Sequence, residues 1–236
     1  MKFIKAQTNG NDFVILGGDA MSFDRQTIRS MADRKFGIGC DQVIFVEEHE
    51  KSEKYNVKFF NQDGSEAEMC GNGSCAVGKY IREILNGMGE NPILTISEKD
   101  YRLNISSGEV SVDFPIPKIL KNGVICTGNK HIVSRMNEVG SLDELVKKFG
   151  ECNLHFAESV EEDSIRLKTF EKGVGWTKAC GSGAIASAFL FAKKNRKIKV
   201  IHDGGVSFVD MLSNSIKLTT TPKIVFNGNF FNGEFL

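Results

Sequence analysis

The sequence predicts an α+β protein of two pseudo-symmetric halves, each a β-sheet wrapped around one central α-helix. The first observation is a repeat: Cys-Gly-x-Gly occurs at Cys70–Gly73 and again at Cys180–Gly183, an offset of 180 − 70 = 110 residues in a chain of 236. The second is that this offset, applied without a gap, also places Lys58 on Lys168. The third is that each motif follows a strand-like stretch and opens a helix-like one. Together these observations predict an internal duplication in which two acid/base groups face one anionic substrate.

In the first half, the hydrophobic periodicity predicts strands at Phe3–Ala6 and Phe13–Leu16 around a polar loop, Thr8–Asp12. A helix is predicted over Phe23–Phe36, since Ile28, Met31 and Ala32 share one face. The remaining predicted elements are strands at Gln42–Val46 and Asn56–Phe60, a helix at Gly71–Leu85, and strands alternating with turns between Leu94 and Val112.

Pro115 and Pro117 interrupt the pattern near the midpoint of the chain. We therefore place the domain boundary there, with residues 1–115 carrying Cys70 and residues 116–236 carrying Cys180; the extreme C-terminal strand is left free to return to the first half. The predicted elements of the second half are a strand with a Gly-Asn turn within Ile125–Ser134, helices at Leu142–Phe149 and Gly183–Lys194, a strand at Ser164–Phe170, and closing strands at Val200–Ile201, Val206–Met211, Ser215–Thr220 and Ile224–Phe226.

Composition limits the classes of function. Thirty Lys and Arg residues balance thirty Asp and Glu residues, so no basic excess favours nucleic acid or a membrane surface as a partner. No segment approaches 18 consecutive apolar residues and no signal peptide is evident, so the expected location is the cytoplasm. The six cysteines are therefore expected to be free thiols. We expect Cys40, Cys75, Cys126 and Cys152 to be small buried side chains, and His49, His155 and His202 to be structural.

The repeated cysteines indicate acid/base chemistry. A cysteine at a helix start faces unpaired backbone N–H groups and the positive end of the helix dipole, which lower a thiol pKa and attract anions. One thiolate can take a proton from a substrate carbon while a thiol on the opposite face returns one. The amides of Gly71-Asn72-Gly73 and Gly181-Ser182-Gly183 could hold a carboxylate on which charge accumulates. No cofactor motif and no metal-ligand spacing is visible, so neither a cofactor nor a metal is expected.

Along nearly its whole length the chain resembles the diaminopimelate epimerase family of cofactor-independent two-cysteine racemases. The residues that carry the resemblance are NGNDF at Asn9–Phe13, FGIGCDQ at Phe36–Gln42, NQDGSEAEMCGNG at Asn61–Gly73, GNKH at Gly128–His131, NLHF at Asn153–Phe156 and FEKGVGWTKACGSGA at Phe170–Ala184. The resemblance implies an active site in the cleft between the two halves. It also implies epimerisation of LL- to meso-diaminopimelate in lysine and peptidoglycan-precursor biosynthesis. It implies a small amino-acid substrate as the partner, and it leaves a homodimer open as the assembly.

Residue by residue, the resemblance implies that Cys70 and Cys180 are the catalytic bases. It implies that the amides of Gly71, Asn72, Gly181 and Ser182 hold the reacting carboxylate. Glu171 falls beside the reacting amino group, and His131 is an accessory residue near the catalytic pair. The residues that match polar substrate ligands are Asn11, Gln42, Asn61, Asn129 and Asn153, with Lys172 at the position of a family arginine.

Several positions depart from the family pattern. Lys172 replaces an arginine, Trp176 a glutamate and Lys130 a proline, so the distal end of the substrate is the part least determined. A racemase of another amino acid, such as histidine, therefore stays an alternative. A non-catalytic amino-acid-binding protein is a further alternative, and so is a thiol-redox or metal-binding protein, which the absence of a C-x-x-C motif disfavours.

Overall fold

The computed structural model of the chain describes residues 1–49, 53–87, 89, 91–106, 108–136, 141–191 and 196–231. These residues form two compact units. The first comprises Met1–Thr8, Asp12–Val110 and Pro222–Leu236, and the second comprises Asn9–Asn11 and Ser111–Thr221. The structure is mixed α+β, which confirms the predicted class. The predicted boundary between residues 115 and 116 stays a prediction.

The strands, in chain order, are β1 (Lys2–Thr8), β2 (Asn11–Gly17), β3 (Gln42–Glu48), β4 (Lys54–Asn61), β5 (Glu66–Ala67), β6 (Ile93–Ile96), β7 (Lys99–Ile105), β8 (Val110–Phe114), β9 (Lys118–Ile119), β10 (Ile125–Cys126), β11 (Lys130–Arg135), β12 (Asn153–Glu161), β13 (Ser164–Glu171), β14 (Gly175–Thr177), β15 (Lys197–His202), β16 (Gly205–Met211), β17 (Ile216–Thr220) and β18 (Lys223–Asn229). The α-helices are α1 (Arg25–Ala32), α2 (Gly71–Glu83), α3 (Leu142–Phe149) and α4 (Gly181–Phe191), and short 3₁₀ turns lie at Ala20–Ser22 and Lys121–Gly123.

In the first unit the sheet surrounds α2. β18 lies antiparallel to β1, β1 pairs with β2, β2 runs parallel to β3, and β3 runs antiparallel to β4. β4 then pairs in parallel with β6, which is antiparallel to β7. Apart from Lys79, the residues from Gly71 to Ile81 are buried. The helix is therefore enclosed on nearly all sides, as the sequence predicts.

The second unit repeats this arrangement around α4. β11 runs parallel to β12, β12 antiparallel to β13, and β13 parallel to β15, which is antiparallel to β16. The 110-residue offset carries β4 onto β13 residue for residue, and it carries the first residue of α2, Gly71, onto the first residue of α4, Gly181. The repeat seen in the sequence is thus a repeat of strand order and direction.

Two aspartates fix the start of the parallel pair β2–β3. The amide of Asp12 donates to Oδ2 of Asp41, and the amide of Asp41 donates to Oδ1 of Asp12, both at 3.1 Å. Lys5, which is buried, donates to Asp12 at 2.5 Å and also to the carbonyl of Gly39. Arg34 bridges the two carboxylates, at 2.6 Å from Asp12 and 2.7 Å from Asp41. The motifs NGNDF and FGIGCDQ therefore meet through their aspartates, whose role is structural.

The structure corrects several predicted boundaries. The helix expected over Phe23–Phe36 is only α1, because Asp24 caps its start through the amide of Thr27. The chain then turns at Asp33, whose carboxylate accepts from the amides of Lys35 and Phe36. The predicted loop Thr8–Asp12 shrinks to a turn at Asn9-Gly10, where both residues have positive φ.

The second half holds further corrections. α4 begins at Gly181 rather than Gly183, and its predicted end at Lys194 lies outside the described residues. Strand β12 was not predicted at all. Its burial pattern explains why: Leu154–Ala157 are buried in one continuous run and the residues from Glu158 to Glu161 are all exposed, so the strand lacks the alternation that marks a half-buried strand. No helix within the described residues is long and apolar enough to cross a membrane.

The aspartate network predicts a pH dependence of stability. Burial alone would raise the pKa of Asp12, but hydrogen bonds from Arg34 and Lys5 outweigh it and lower the pKa to about 2. Because the folded pKa is depressed, the stabilisation is fully present above the unfolded value near 4 and is lost as the pH falls from about 4 towards 2. We expect wild-type protein to lose about 1–2 kcal/mol of unfolding free energy from this group over that window.

Urea unfolding between pH 2 and 7 measures the effect, with Asp12→Asn and Asp100→Asn compared with wild type. Asp12→Asn should flatten the loss between pH 4 and 2. Asp100→Asn is the matched control, because Asp100 pairs with Lys54 in an exposed ion pair that contributes little. An Asp12→Asn curve parallel to wild type across this window would contradict the assigned network.

Candidate active site

Cys70 caps the start of α2 with its sulfur. Its backbone is extended, with φ −136° and ψ 110°, and its Sγ accepts a hydrogen bond from the amide of Gly73 at 3.3 Å. Its carbonyl accepts from the amide of Ser74 at 2.8 Å and from the Ser74 hydroxyl at 2.9 Å. The sulfur therefore lies at the positive end of the helix, where a thiolate is favoured.

Cys180 repeats this geometry at the start of α4. Its Sγ accepts from the amide of Gly183 at 3.4 Å and lies 3.4 Å from the hydroxyl oxygen of Ser182. Its carbonyl accepts from the amide of Ala184 at 2.9 Å. Cys180 is more buried than Cys70, since 6% of its surface is exposed. Both sulfurs are thus held by the amide three residues ahead.

The third residue of each helix must be glycine because the first turn lies directly on the sheet. A Cβ atom at Gly73 would lie 2.7 Å from Cε1 of Phe59 and 3.2 Å from Cδ1 of Ile44. A Cβ atom at Gly183 would lie 2.6 Å from Nδ1 and 2.7 Å from Nε2 of His155. Contacts of a Cβ atom below 3.0 Å are essentially absent from folded proteins. The glycines of the two motifs therefore bring each helix start, with its cysteine, onto the sheet face.

In the first unit, polar residues line the end of the sheet face on which α2 lies. Gln42 and Asn61 are directly opposite one another on β3 and β4, and Nε2 of Gln42 donates to Oδ1 of Asn61 at 3.1 Å. Asn61 in turn donates to the hydroxyl of Ser65 at 3.1 Å. Oε1 of Gln42 is buried and accepts no hydrogen bond from the described residues. A ligand N–H group would satisfy this oxygen.

The second unit has polar residues in the corresponding place. Oδ1 of Asn153, at the start of β12, accepts from the amide of Lys172 at 3.0 Å. The half-buried carboxylate of Glu171, at the end of β13, accepts from the hydroxyl of Thr177 at 2.6 Å. Glu171 is the equivalent of Asn61 under the 110-residue offset. The two units therefore differ in charge at this matched position.

Lys172 already has a partner in this structure. Its ammonium donates to Glu151 at 2.6 Å, in a pair whose side chains are 51% and 81% exposed. Lys172 lowers the pKa of the Glu151 carboxyl by this hydrogen bond and by its charge. An exposed pair of this kind is weak and exchangeable. Lys172 can therefore exchange Glu151 for another carboxylate.

A chain of buried hydrogen bonds lies beneath α4. Nδ1 of His131 lies 2.8 Å from Nε2 of His155, and Nδ1 of His155 lies 3.1 Å from the hydroxyl of Thr169. At the other end, Nε2 of His131 lies 2.9 Å from the hydroxyl of Thr127. Burial lowers the pKa of His131 to about 3 and that of His155 well below its usual value. Both imidazoles are therefore neutral near neutral pH.

Sequence reasoning missed the partnership of the two histidines. It singled out His131 and assigned His155 a structural role without a partner. The parallel register of β11 and β12 places His131 opposite Asn153 and Val133 opposite His155, so the two histidines are diagonal neighbours on one face. The spacing of KHI and NLH at matched strand starts is the signal that could have shown this.

The predicted site residues fall into two groups. The first unit holds Gln42, Asn61, Cys70, Gly71 and Asn72, and the second holds Asn11, Asn129, His131, Asn153, Glu171, Lys172, Cys180, Gly181 and Ser182.

Three of the four cysteines that were expected to be buried are buried: Cys40, Cys75 and Cys152. The expectation is wrong for Cys126, whose partly exposed thiol lies 3.7 Å from the carbonyl of Gly128. Trp176 is 58% exposed and packs against Phe156 and Phe170 with ring centroids 5.6 Å away.

Comparison with solved structures defines the class of fold. The chain is similar to a phenazine biosynthesis protein of the PhzF family from Enterococcus faecalis, with a TM-score of 0.77, 12% identity and 98% of each chain covered. It is also similar to a probable proline racemase from Agrobacterium radiobacter K84, with a TM-score of 0.72, 10% identity, and coverage of 99% of this chain and 94% of the other. At these identities the likeness concerns the fold alone.

Sequence comparison identifies the family. The sequence profile of Diaminopimelate epimerase matches residues 3–114. A diaminopimelate epimerase of Parabacteroides distasonis is 32% identical over 265 residues, with 99% of this chain and 97% of the relative covered. A diaminopimelate epimerase of Coxiella burnetii is 31% identical over 278 residues, with 100% and 99% covered. The chain belongs to the diaminopimelate epimerase family, which consists of isomerases of the epimerase and racemase class, and the resemblance inferred from the motifs is confirmed.

Proposed function

We propose that this protein epimerises LL-diaminopimelate to meso-diaminopimelate without a cofactor, using Cys70 and Cys180 as its two acid/base groups. The observation that carries the proposal is the duplicated helix start, in which each sulfur accepts the amide three residues ahead, at 3.3 Å for Cys70 and 3.4 Å for Cys180. The names of the relatives support the substrate. On this proposal the protein acts in lysine and peptidoglycan-precursor biosynthesis.

The chemistry assigns one thiol to each face of the substrate. A thiolate removes the α-proton, the carbanion that forms delocalises its charge into the carboxylate, and the opposite thiol delivers a proton to the other face. The second thiol becomes a thiolate in the same event, so the enzyme ends ready for the reverse reaction. Reference thiol pKa values near 8.5 can be brought towards neutrality at a helix start, which suits proton transfer in both directions.

The backbone amides at the helix starts supply the electrostatic part of the mechanism. Gly71, Asn72, Gly181 and Ser182 occupy the first two positions of α2 and α4, at the positive end of each helix dipole. On this proposal their N–H groups stabilise the additional negative charge that develops on the carboxylate more than they stabilise the ground-state carboxylate, and this difference accelerates the reaction. Glu171 would accept from the substrate ammonium group.

The neutral amides would hold the distal amino-acid group of the substrate. Gln42 offers a buried oxygen without a donor, and Asn61 is already oriented by Ser65. Asn11, Asn129 and Asn153 complete the proposed set. Lys172 would provide the positive charge for the distal carboxylate by exchanging Glu151 for substrate.

One observation favours a second candidate. Because Lys172 is paired with Glu151, its charge is already balanced, and a diacid substrate has to displace that partner. A neutral-tailed amino acid such as histidine would not need to do so. Racemisation of another amino acid on the same scaffold is therefore the alternative function.

A substrate panel decides between these functions. Purified protein is incubated in deuterium oxide with LL- and meso-diaminopimelate, histidine, lysine and glutamate, followed by chiral separation and mass spectrometry. We expect deuterium at one α-carbon of diaminopimelate, together with inversion, and no exchange in the other amino acids. Exchange in histidine alone would establish the alternative, and binding without exchange would establish a non-catalytic binding protein.

Substitution of either catalytic cysteine should abolish inversion. Cys70→Ala and Cys180→Ala each remove one of the two groups that inversion needs, so each should lower kcat by about 10²–10⁴-fold. Cys75→Ala is the matched control, because Cys75 is a fully buried thiol one turn further along α2. Turnover near the wild-type rate in either catalytic variant would disprove the two-base scheme.

Lys172 should control affinity for a diacid. Lys172→Met should raise KM for diaminopimelate about tenfold or more with a smaller change in kcat, because the charge acts far from the reacting carbon. Lys172→Arg should preserve activity, and Glu151→Gln should lower KM by removing the competing carboxylate. Unchanged kinetics in Lys172→Met, with Glu151→Gln also silent, would assign the distal end to other residues.

A further inference from the structure

The sheet faces beneath the two central helices have opposite chemical character. In the first unit the residues beneath the start of α2 are apolar and fully buried: Phe13, Ile44 and Phe59, each 0% exposed. The strand registers place three polar residues at the equivalent positions of the second unit: His131, His155 and Thr169. The exposed fractions of these three are 0%, 1% and 1%. The internal repeat therefore provides a comparison of polar and apolar sheet faces within one chain.

The equivalence follows from strand pairing. Phe13 lies opposite Gln42 on β2 and β3, as His131 lies opposite Asn153 on β11 and β12. Two residues further along β3, Ile44 lies opposite Phe59. Two residues beyond Asn153, His155 lies opposite Thr169. Each set of three thus spans one parallel and one antiparallel strand pair, on the face that carries the helix.

The fold does not require the polar set. The apolar version beneath α2 supports the same strand order, the same helix start and the same cysteine cap. Burying two imidazoles and a hydroxyl costs free energy unless all their polar atoms are paired, whereas apolar side chains of similar size carry no such requirement. The polar set in the second unit therefore needs an explanation other than stability.

The hydrogen-bond chain admits only a concerted arrangement. With both rings neutral, one hydrogen lies between Nδ1 of His131 and Nε2 of His155. If His131 donates it, His155 must donate from Nδ1 to Thr169, and Thr127 must donate to His131. If His155 donates it, every bond reverses. Both histidines consequently share the same tautomer, and the dipoles of the chain align in one direction.

This chain of dipoles lies against the turn that holds the Cys180 sulfur. The His155 ring contacts Gly183, and the amide of Gly183 is the donor to Sγ of Cys180 at 3.4 Å. At the equivalent glycine of the first unit, Gly73, the three atoms nearest to the Cβ position are carbon atoms of Phe59, Ile44 and Cys70. The two sulfurs therefore share a backbone cap but differ in what lies behind it.

We propose that His155 is a positioning residue for Cys180: linked to His131 and Thr169, it holds a polar ring against the turn whose Gly183 amide caps the sulfur, so that Cys180 ionises more readily than it would on an apolar sheet face. Two identical thiols in identical surroundings would compete for the same protonation state. Unequal surroundings separate acid from base. The proposal rests on the proposed function only in giving Cys180 an acid/base role.

Several other titratable groups lie on the strands around α4, and a test of this proposal must leave them unchanged. The strands packed on α4 are β11, β12, β13, β15, β16 and β17. Their titratable side chains are His131, His155 and His202, which are buried, Glu171, Asp210 and Lys217, which are half-buried, and Lys130, Arg135, Glu158, Glu161, Arg166, Lys168, Lys197 and Lys199, which are exposed. The three atoms nearest to the Cβ position at Gly183 all belong to His155.

The test measures the thiols directly and needs no turnover. Full-length protein is alkylated with iodoacetamide between pH 5 and 10, and the Cys70 and Cys180 peptides are quantified by mass spectrometry in the same sample. His155→Ile installs the residue found at the equivalent position of the first unit. We expect the pH midpoint for Cys180 to rise by about half a unit, less than the loss of a direct hydrogen bond to a charged group would cause, because the Gly183 amide still caps the sulfur, while that of Cys70 is unchanged.

Two further variants separate positioning from packing. His155→Gln can keep an amide near the Nε2 position, and so the bond to His131, and should recover at least half of the shift. His202→Asn is the matched control, since His202 is also buried in the second unit and lies 3.2 Å from the hydroxyl of Ser207. It should leave the Cys180 midpoint where it is. Circular dichroism and urea unfolding confirm that each variant is folded.

If His155→Ile does not fold, Thr169→Val replaces it, because that change removes only the far hydrogen bond and should raise the Cys180 midpoint by a smaller amount. A folded His155→Ile or Thr169→Val protein with an unchanged Cys180 midpoint overturns the proposal, as does an equal shift in His202→Asn. A shift confined to Cys180 in a protein that turns over no diaminopimelate supports this inference while the proposed substrate fails. Turnover of diaminopimelate by the wild-type protein, together with an unchanged Cys180 midpoint in folded His155→Ile protein, would support the proposed function and overturn this inference.

Discussion

Each central helix of this protein begins in direct contact with its sheet, and much of the local sequence follows from that constraint. At Gly73 and Gly183 a side chain would overlap buried atoms of the strands below, so only glycine fits. The close approach brings the cysteine before the helix down to the end of the sheet face, where strand-end polar residues lie. A glycine, a sulfur cap and a polar strand end are therefore one arrangement, and the chain uses it twice.

The second supporting arrangement is electrostatic and belongs to the first unit alone. Asp12 and Asp41 exchange amide hydrogen bonds across β2 and β3, and Lys5 and Arg34 neutralise them. The network fixes where both strands begin, and thereby where Asn11 and Gln42 lie along the sheet. The partly buried charge of Asp12 stabilises the structure only while its positively charged partners are present. The aspartates of both motifs are thus explained by folding rather than by chemistry at the site.

The two units have the same strand order and the same kind of helix start, and they differ in the side chains around it. Asn61 in the first unit corresponds to Glu171 in the second, and the apolar face beneath α2 corresponds to the histidine chain beneath α4. A duplicated fold can bind a substrate from two sides, but inversion at carbon also requires the two sides to hold different protonation states. The differences between the units are therefore as informative about the proposed reaction as the repeat itself.

The sequence by itself determined the duplication, the presence of a helix after each of the two cysteines, most strands and the family, because each depends on local periodicity or on contiguous motifs. It erred where a turn depends on one side chain, as at Asp33, and where a strand does not alternate between buried and exposed residues, as at β12. The tertiary structure alone decided the pairing of Asp12 with Asp41, of Lys172 with Glu151 and of His131 with His155. Each of these pairs joins residues 21 to 29 positions apart whose contact depends on strand register, which no local pattern specifies.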